Sequence, residues 1–241
     1  MATPSLLDTA TGLENGDVAS LSASYTVPGG GANKCFVVIL LGRLNGGQTV
    51  TAMSLNGVTM TNRGDNGSTD SLVRVYTLFS PASGTLSGVL SANARWGLIY
   101  FTLQDVDQTT PTRAGAGIDS SLLTGNITTV SGDLVLAALW ARNQVAADVG
   151  TPSGATNVLN TMTVDAAGIP HATNACSEVA TGTTTAFTFT LSVDNGDVGR
   201  GTFGIPFIGA AGGATVPAVD EPWMLPMITP VPIPPETVVF S

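Results

Sequence analysis

The run Cys35-Phe36-Val37-Val38-Ile39-Leu40-Leu41 constrains this chain more than any other stretch. A strand sends successive side chains to opposite faces, so seven consecutive apolar residues demand cover on both sides. Consecutive β-branched residues, and the turn Pro28-Gly29-Gly30-Gly31 just before, favour a strand over a buried helix. The run therefore reads as the central strand of a packed sheet. Like Leu134–Ala141, the other long apolar run, it is far shorter than the roughly 20 residues of a membrane helix.

Composition supports the same reading. Charged residues make up 10% of the 241 residues, against about 25% in an ordinary soluble protein. Thr, Val, Ala, Ser and Gly dominate, which favours strands and turns over helices. Eight Lys plus Arg stand against 17 Asp plus Glu, for a net charge of −9. Such a chain lacks the basic patch that a nucleic-acid binder needs to neutralise phosphates. At 43% hydrophobic residues it also lacks the composition of disorder. The first residues, MATPSLLDTATGLENGD, have neither the basic nor the apolar segment of a secretory signal.

Strand-like runs recur with turn signals between them. They are Ser20–Val27, Lys34–Leu44, Val50–Leu55, Val58–Thr61, Leu72–Phe79, Thr85–Ala92, Trp96–Leu103, Asn126–Val130, Asp133–Trp140, Thr184–Val193 and Gly199–Ile208. Asn56-Gly57 predicts a tight hairpin, because both turn positions take positive φ. Ser131-Gly132 predicts a second hairpin, and Asn62–Ser71 a loop. No strict repeat at a fixed period stands out, which argues against a solenoid or propeller. The expectation is an all-β chain: a jelly-roll-like antiparallel β-sandwich over 17–209, preceded by an N-terminal arm or leader strand over 1–16.

Beyond Ile208 the composition changes. A Gly/Ala linker opens the stretch 210–241, which then carries Pro217, Pro222, Pro226, Pro230, Pro232, Pro234 and Pro235. Proline at this density favours extended polyproline backbone. Trp223, Met224, Leu225, Met227, Ile228, Val231, Ile233, Val238, Val239 and Phe240 make the same arm apolar, and so suited to a neighbour's groove. These ten residues are the candidate interaction site.

Candidates for chemistry are few. No nucleophile elbow, phosphate loop or dinucleotide fingerprint is present. One histidine, His171, reads as a surface or loop residue in Gly168-Ile169-Pro170-His171. Asp65 with Asp70, Asp105 with Asp107, and Asp194 with Asp197 pair up in loops. They would suit a glycosidase only across a cleft, and none has full calcium-loop spacing. No catalytic residue, metal or cofactor is therefore assigned. Cys35 reads as a buried free thiol, with a Cys35–Cys176 bridge as the alternative. Trp96 and Trp140 lie within apolar runs and read as core rather than as a sugar-binding platform.

The strand series Asn33–Ile39, Val50–Thr61, Tyr76–Thr85, Tyr100–Pro111 and Gly132–Leu136 resembles a β-sandwich module of phage virion proteins and bacterial surface proteins. Its most specific part is Val106-Asp107-Gln108-Thr109-Thr110-Pro111, with Asp105 where the module usually has glycine. The resemblance spans about 17–209 and implies a structural or adhesive setting, with no catalytic residues to carry over. The expected function is a non-enzymatic virion structural protein of a bacteriophage: a capsid decoration (cement) protein or a short head or tail appendage. It would be assembled in the host cytoplasm and attached through the arm. Expected partners are the major capsid protein or other virion proteins and copies of itself, as a homotrimer, with no nucleic acid and no membrane. The alternative is a carbohydrate-binding, adhesin-like module whose partner is a glycan.

Overall fold

The computed structural model describes residues 1–44, 47–67, 71–118, 123–142, 149–164, 170–191 and 200–211. They form an all-β, antiparallel fold, with no helix among the described residues. The first half contains β1 (Ser5–Leu6), β2 (Thr11–Tyr25), β3 (Cys35–Arg43), β4 (Val50–Leu55), β5 (Val58–Thr59), β6 (Thr61–Asp65), β7 (Leu72–Phe79) and β8 (Gly84–Gln104). The second contains β9 (Ala116–Ile118), β10 (Thr124–Thr128), β11 (Leu134–Arg142), β12 (Val149–Gly150), β13 (Thr156–Val164), β14 (Pro170–Val179), β15 (Thr184–Thr188), β16 (Thr190–Leu191) and β17 (Arg200–Phe207).

The central apolar run behaves as its composition demands. In β3, Cys35, Val37, Ile39 and Leu41 enter one core, while Phe36, Val38 and Leu40 enter another. The second core lies within the first half. There the long β2–β8 ribbon bends over its own sheet and, with β4, covers β3 and β7. Two register shifts in β2, between Glu14 and Asp17 and between Val18 and Ser20, accommodate the bend. The first core lies between the two halves, with β3, β7 and β8 on one wall and β11, β14 and β17 on the other. A third lies between β11–β14 and the small β10–β15 sheet, filled by Phe187, Phe189, Ile127 and Leu139. Each such large side chain fully removed from water contributes about 1.5–3 kcal/mol of gross burial energy. The described residues thus form a sandwich four layers deep around three cores.

The two halves repeat one pairing scheme. β3 lies between β7 and β8, as β11 lies between β14 and β17. β6 adds to β7 as β13 adds to β14. β2 pairs with β8 as β9 pairs with β17 and β10 with β15, and β4 pairs with β8 as β12 pairs with β16. In register, Cys35 faces Phe79 and Leu103, and Leu134 faces Val179 and Phe207. CFVVILLGR and LVLAALWAR match in length, in burial pattern and in their terminal arginine. A search at fixed period misses this duplication, because the shared features are strand pairings and burial rather than recurring motifs.

Several local readings hold. Asn56 and Gly57 have φ of 50° and 77° and join β4 to β5. Others need correction. Ser131-Gly132 does not turn a hairpin: β11 already has β14 and β17 on its two edges, so β10 crosses to the covering layer and pairs with β15. The stretch Asn62–Asp65, read as loop, pairs with β7 through a register shift at Gly64, where φ is 138°. The runs Thr85–Ala92 and Trp96–Leu103, read as two strands, are one continuous β8. Residues 1–16 are a leader strand rather than a free arm, since β1 and the start of β2 pair with β8.

Candidate functional site

The arm leaves the fold from a built corner. The Ala2 amide donates to the Ala210 carbonyl and the Ala210 amide to the Asp105 carbonyl, while Val106 bridges Gly209. Asp105 has a φ of 59°, left-handed backbone for which glycine is the usual residue. The Asp107 carboxylate accepts the Thr109 and Thr110 amides, each at 2.8 Å. These two bonds hold its pKa below the usual carboxylate range. The Asp107 amide donates to the Ile208 carbonyl, and the Ile208 amide to the Pro111 carbonyl. The Val106–Pro111 motif therefore clamps the end of β17, and Val106 plugs the central core. The arm candidates Trp223, Met224, Leu225, Met227, Ile228, Val231, Ile233, Val238, Val239 and Phe240 lie outside the described residues, as do Asp70, Asp194 and Asp197.

Asp65 and Asp133 tie down corners of the fold. Asp65 meets Arg74 at 2.7 Å and accepts the Gly67 amide. Asp133 accepts Arg113 Nε at 2.6 Å and the Val130 amide at 2.8 Å, fixing the corner between β10 and β11. Among the described residues no group of three or more His, Cys, Asp or Glu is placed to hold a metal ion.

His171 corrects its sequence reading. Pro170 opens β14, so His171 lies in the strand, 2% exposed, and stacks on Trp140 at 5.3 Å. Trp96 and Trp140 are core residues, as expected. Cys35 and Cys176 are free and buried in different cores, so the bridge is excluded. Burial pushes both thiols up to about 12, with Glu178 adding to the effect at Cys176.

Sequence reasoning missed a basic pole at the other end of the central core. The inward row of β3 runs Cys35, Val37, Ile39, Leu41 and then Arg43. That of β8 ends in Arg95, directly paired with Arg43, and that of β11 runs through Trp140 to Arg142. The three arginines line a cavity of about 300 Å³ together with Asp17, Gln48 and Asn93. The sequence carried only a partial signal: both long apolar runs, Cys35–Leu41 and Leu134–Ala141, are followed within two residues by an arginine, in a chain with only eight cations.

No protein-family model matches this chain, and neither the curated proteins nor the solved structures provide a match.

Proposed function

We propose that this protein is a structural component of a bacteriophage particle. In this reading it is a capsid decoration protein, or a short head or tail appendage, that attaches to the major capsid protein or another virion protein through residues 212–241 and associates as a homotrimer. The observation that carries the reading is the built corner. Hydrogen bonds with Ala2, which donates, and with the Asp105 carbonyl, which accepts, anchor the chain at Ala210, beyond β17, so the apolar arm follows a fixed point. Proline lowers the entropy lost when such an arm orders, and its apolar side chains supply area to bury. Thr237–Phe240 carries no proline and has the composition to add a strand to a neighbour's sheet edge.

The test compares the full chain with one ending at Ala211. Both should fold, with matching circular dichroism and cooperative unfolding. Only the full chain should co-sediment with native particles, be seen on them by antibody-labelled cryo-EM, and scatter light as a trimer. Equal decoration by both chains would leave the arm a mere linker and refute the assignment.

A further inference from the structure

We infer, resting on the arm reading above, that Thr237–Phe240 of one copy of this chain adds as an antiparallel strand to the outer edge of β2, at Ser20–Tyr25, in a second copy. An unpaired strand edge exposes a row of amides and carbonyls, and proteins guard it with charge, proline, bulges or brevity. Among the described residues, the other edge strands of the two large sheets are guarded in these ways. β1, β5 and β9 are two or three residues long. β6 carries Arg63, Asp65 and a register shift between Asn62 and Gly64. β13 carries a shift between Asn157 and Leu159. From Ser20 to Tyr25, β2 pairs with β8 without a shift, and the six residues hold neither charge nor proline. No described strand pairs with their other side.

The same edge borders a core that is incompletely covered. Leu21 and Tyr25 are buried in the second core, but Val18, Ala23 and Val27 along the same stretch are only partly buried against it. Side chains alternate along the strand, so Ser20, Ser22 and Ser24 are exposed. Thr237-Val238-Val239-Phe240 supplies the matching alternation. With Val238 and Phe240 turned toward Ala23 and the core, Thr237 and Val239 fall beside the serines. A slip of one residue would turn Phe240 to solvent, so the apolar pattern selects the register. Neither segment carries a charge, so two copies of net charge −9 meet there without opposing like charges.

Length selects a second copy over the chain's own edge. Thr215–Pro235 holds seven prolines in 21 residues. As a semi-rigid polyproline spacer of about 3.1 Å per residue it spans roughly 65 Å. β3, which starts beside the arm corner and runs to the opposite pole, is nine residues long, or about 30 Å. A spacer about twice that length carries Thr237–Phe240 past its own sheet to a neighbour. Each copy then gives one strand and receives one, a head-to-tail contact that closes as a ring, in keeping with the trimer proposed above.

Disulfide trapping in the full chain tests the contact. Cys35 and Cys176 are buried, so the native chain should stay unlinked under diamide. Ser22→Cys/Val239→Cys or Ser24→Cys/Val239→Cys should give covalent dimers and trimers on a non-reducing gel, at least about fivefold more than Asn157→Cys/Val239→Cys, which samples the β13 edge. Val238→Asp, outside the sandwich, would bury a charge in the contact and should raise the concentration at which the oligomer dissociates at least about tenfold, read by light scattering. Links confined within single chains, links no more frequent at Ser22 and Ser24 than at Asn157, or an oligomer unmoved by Val238→Asp would each overturn the inference. Failure here is distinct from failure of capsid attachment. A chain that decorates particles only when its arm is present, yet forms no link at β2, keeps the arm reading and loses this one. Equal decoration by the chain ending at Ala211 removes capsid attachment, whatever the links at β2 show.

Discussion

Thr202 offers a sharp test of the duplicated architecture. It lies on β17 beside Leu139 and is 0% exposed, and its hydroxyl has no hydrogen-bond partner. Leu139 pairs with Thr202 and Asn174 just as Leu40 pairs with Leu98 and Arg74 in the first half. An apolar residue, Leu98, therefore occupies the equivalent place and packs into its own core. Valine has the shape of threonine without the hydroxyl. Relieving one buried, unmade hydrogen bond is worth about 1–3 kcal/mol, and the added methyl contributes up to about 0.8 kcal/mol more. Allowing for imperfect packing, Thr202→Val should stabilise the protein by about 1–2 kcal/mol. In a chain of this size that raises the melting temperature by roughly 2–8 °C. Thr202→Ser, which keeps the hydroxyl and loses the methyl, should destabilise by about 1 kcal/mol. Urea unfolding, followed by fluorescence and circular dichroism together, reads both. Loss of 1 kcal/mol or more in Thr202→Val, with Thr202→Ser neutral, would mean that the hydroxyl is satisfied and the analogy with Leu98 misleads.

Other outcomes follow from the same packing. His171→Ala removes a buried ring stacked on Trp140 and should cost about 2–4 kcal/mol in chemical denaturation; an unchanged midpoint would return His171 to the surface. Gly201→Ala would drive a Cβ into the Ser71 carbonyl, where the two halves touch, and should abolish cooperative unfolding or soluble expression. Stability should fall with alkaline pH. Burial raises both thiols from 9.0 to about 12 and pushes Tyr25, beside Asp8, above the ordinary tyrosine range. Above pH 9 the unfolded chain therefore sheds protons that the native state keeps, so stability is full below that value and declines toward pH 12. Urea midpoints from pH 7 to about 11 should drop, and the decline should be shallower in a Cys35→Ala/Cys176→Ala chain; a flat profile would contradict the burial of both thiols.

Local structure was legible from neighbouring residues. Alternation and turn chemistry located most strands, since a period of two and the preferences of Asn-Gly are properties of neighbouring residues. The double-faced run at Cys35–Leu41 announced a layer on each side, and both layers are present. The tryptophans in apolar runs were legible as core for the same reason. Strand pairing, by contrast, follows from long-range packing. β10 and β11 adjoin in sequence yet lie in different layers, because pairing depends on which edges are already occupied. His171 became a core residue through the strand that Pro170 opens, and the acidic loop at Asp107 proved to be a clamp through its bonds to neighbouring amides. The basic pole depended most on tertiary structure. Arg43, Arg95 and Arg142 are far apart in sequence, and each merely ends or begins an apolar run. They share one cleft because strand register carries their rows to the same end of the central core, and because two halves with the same pairing scheme pack face to face.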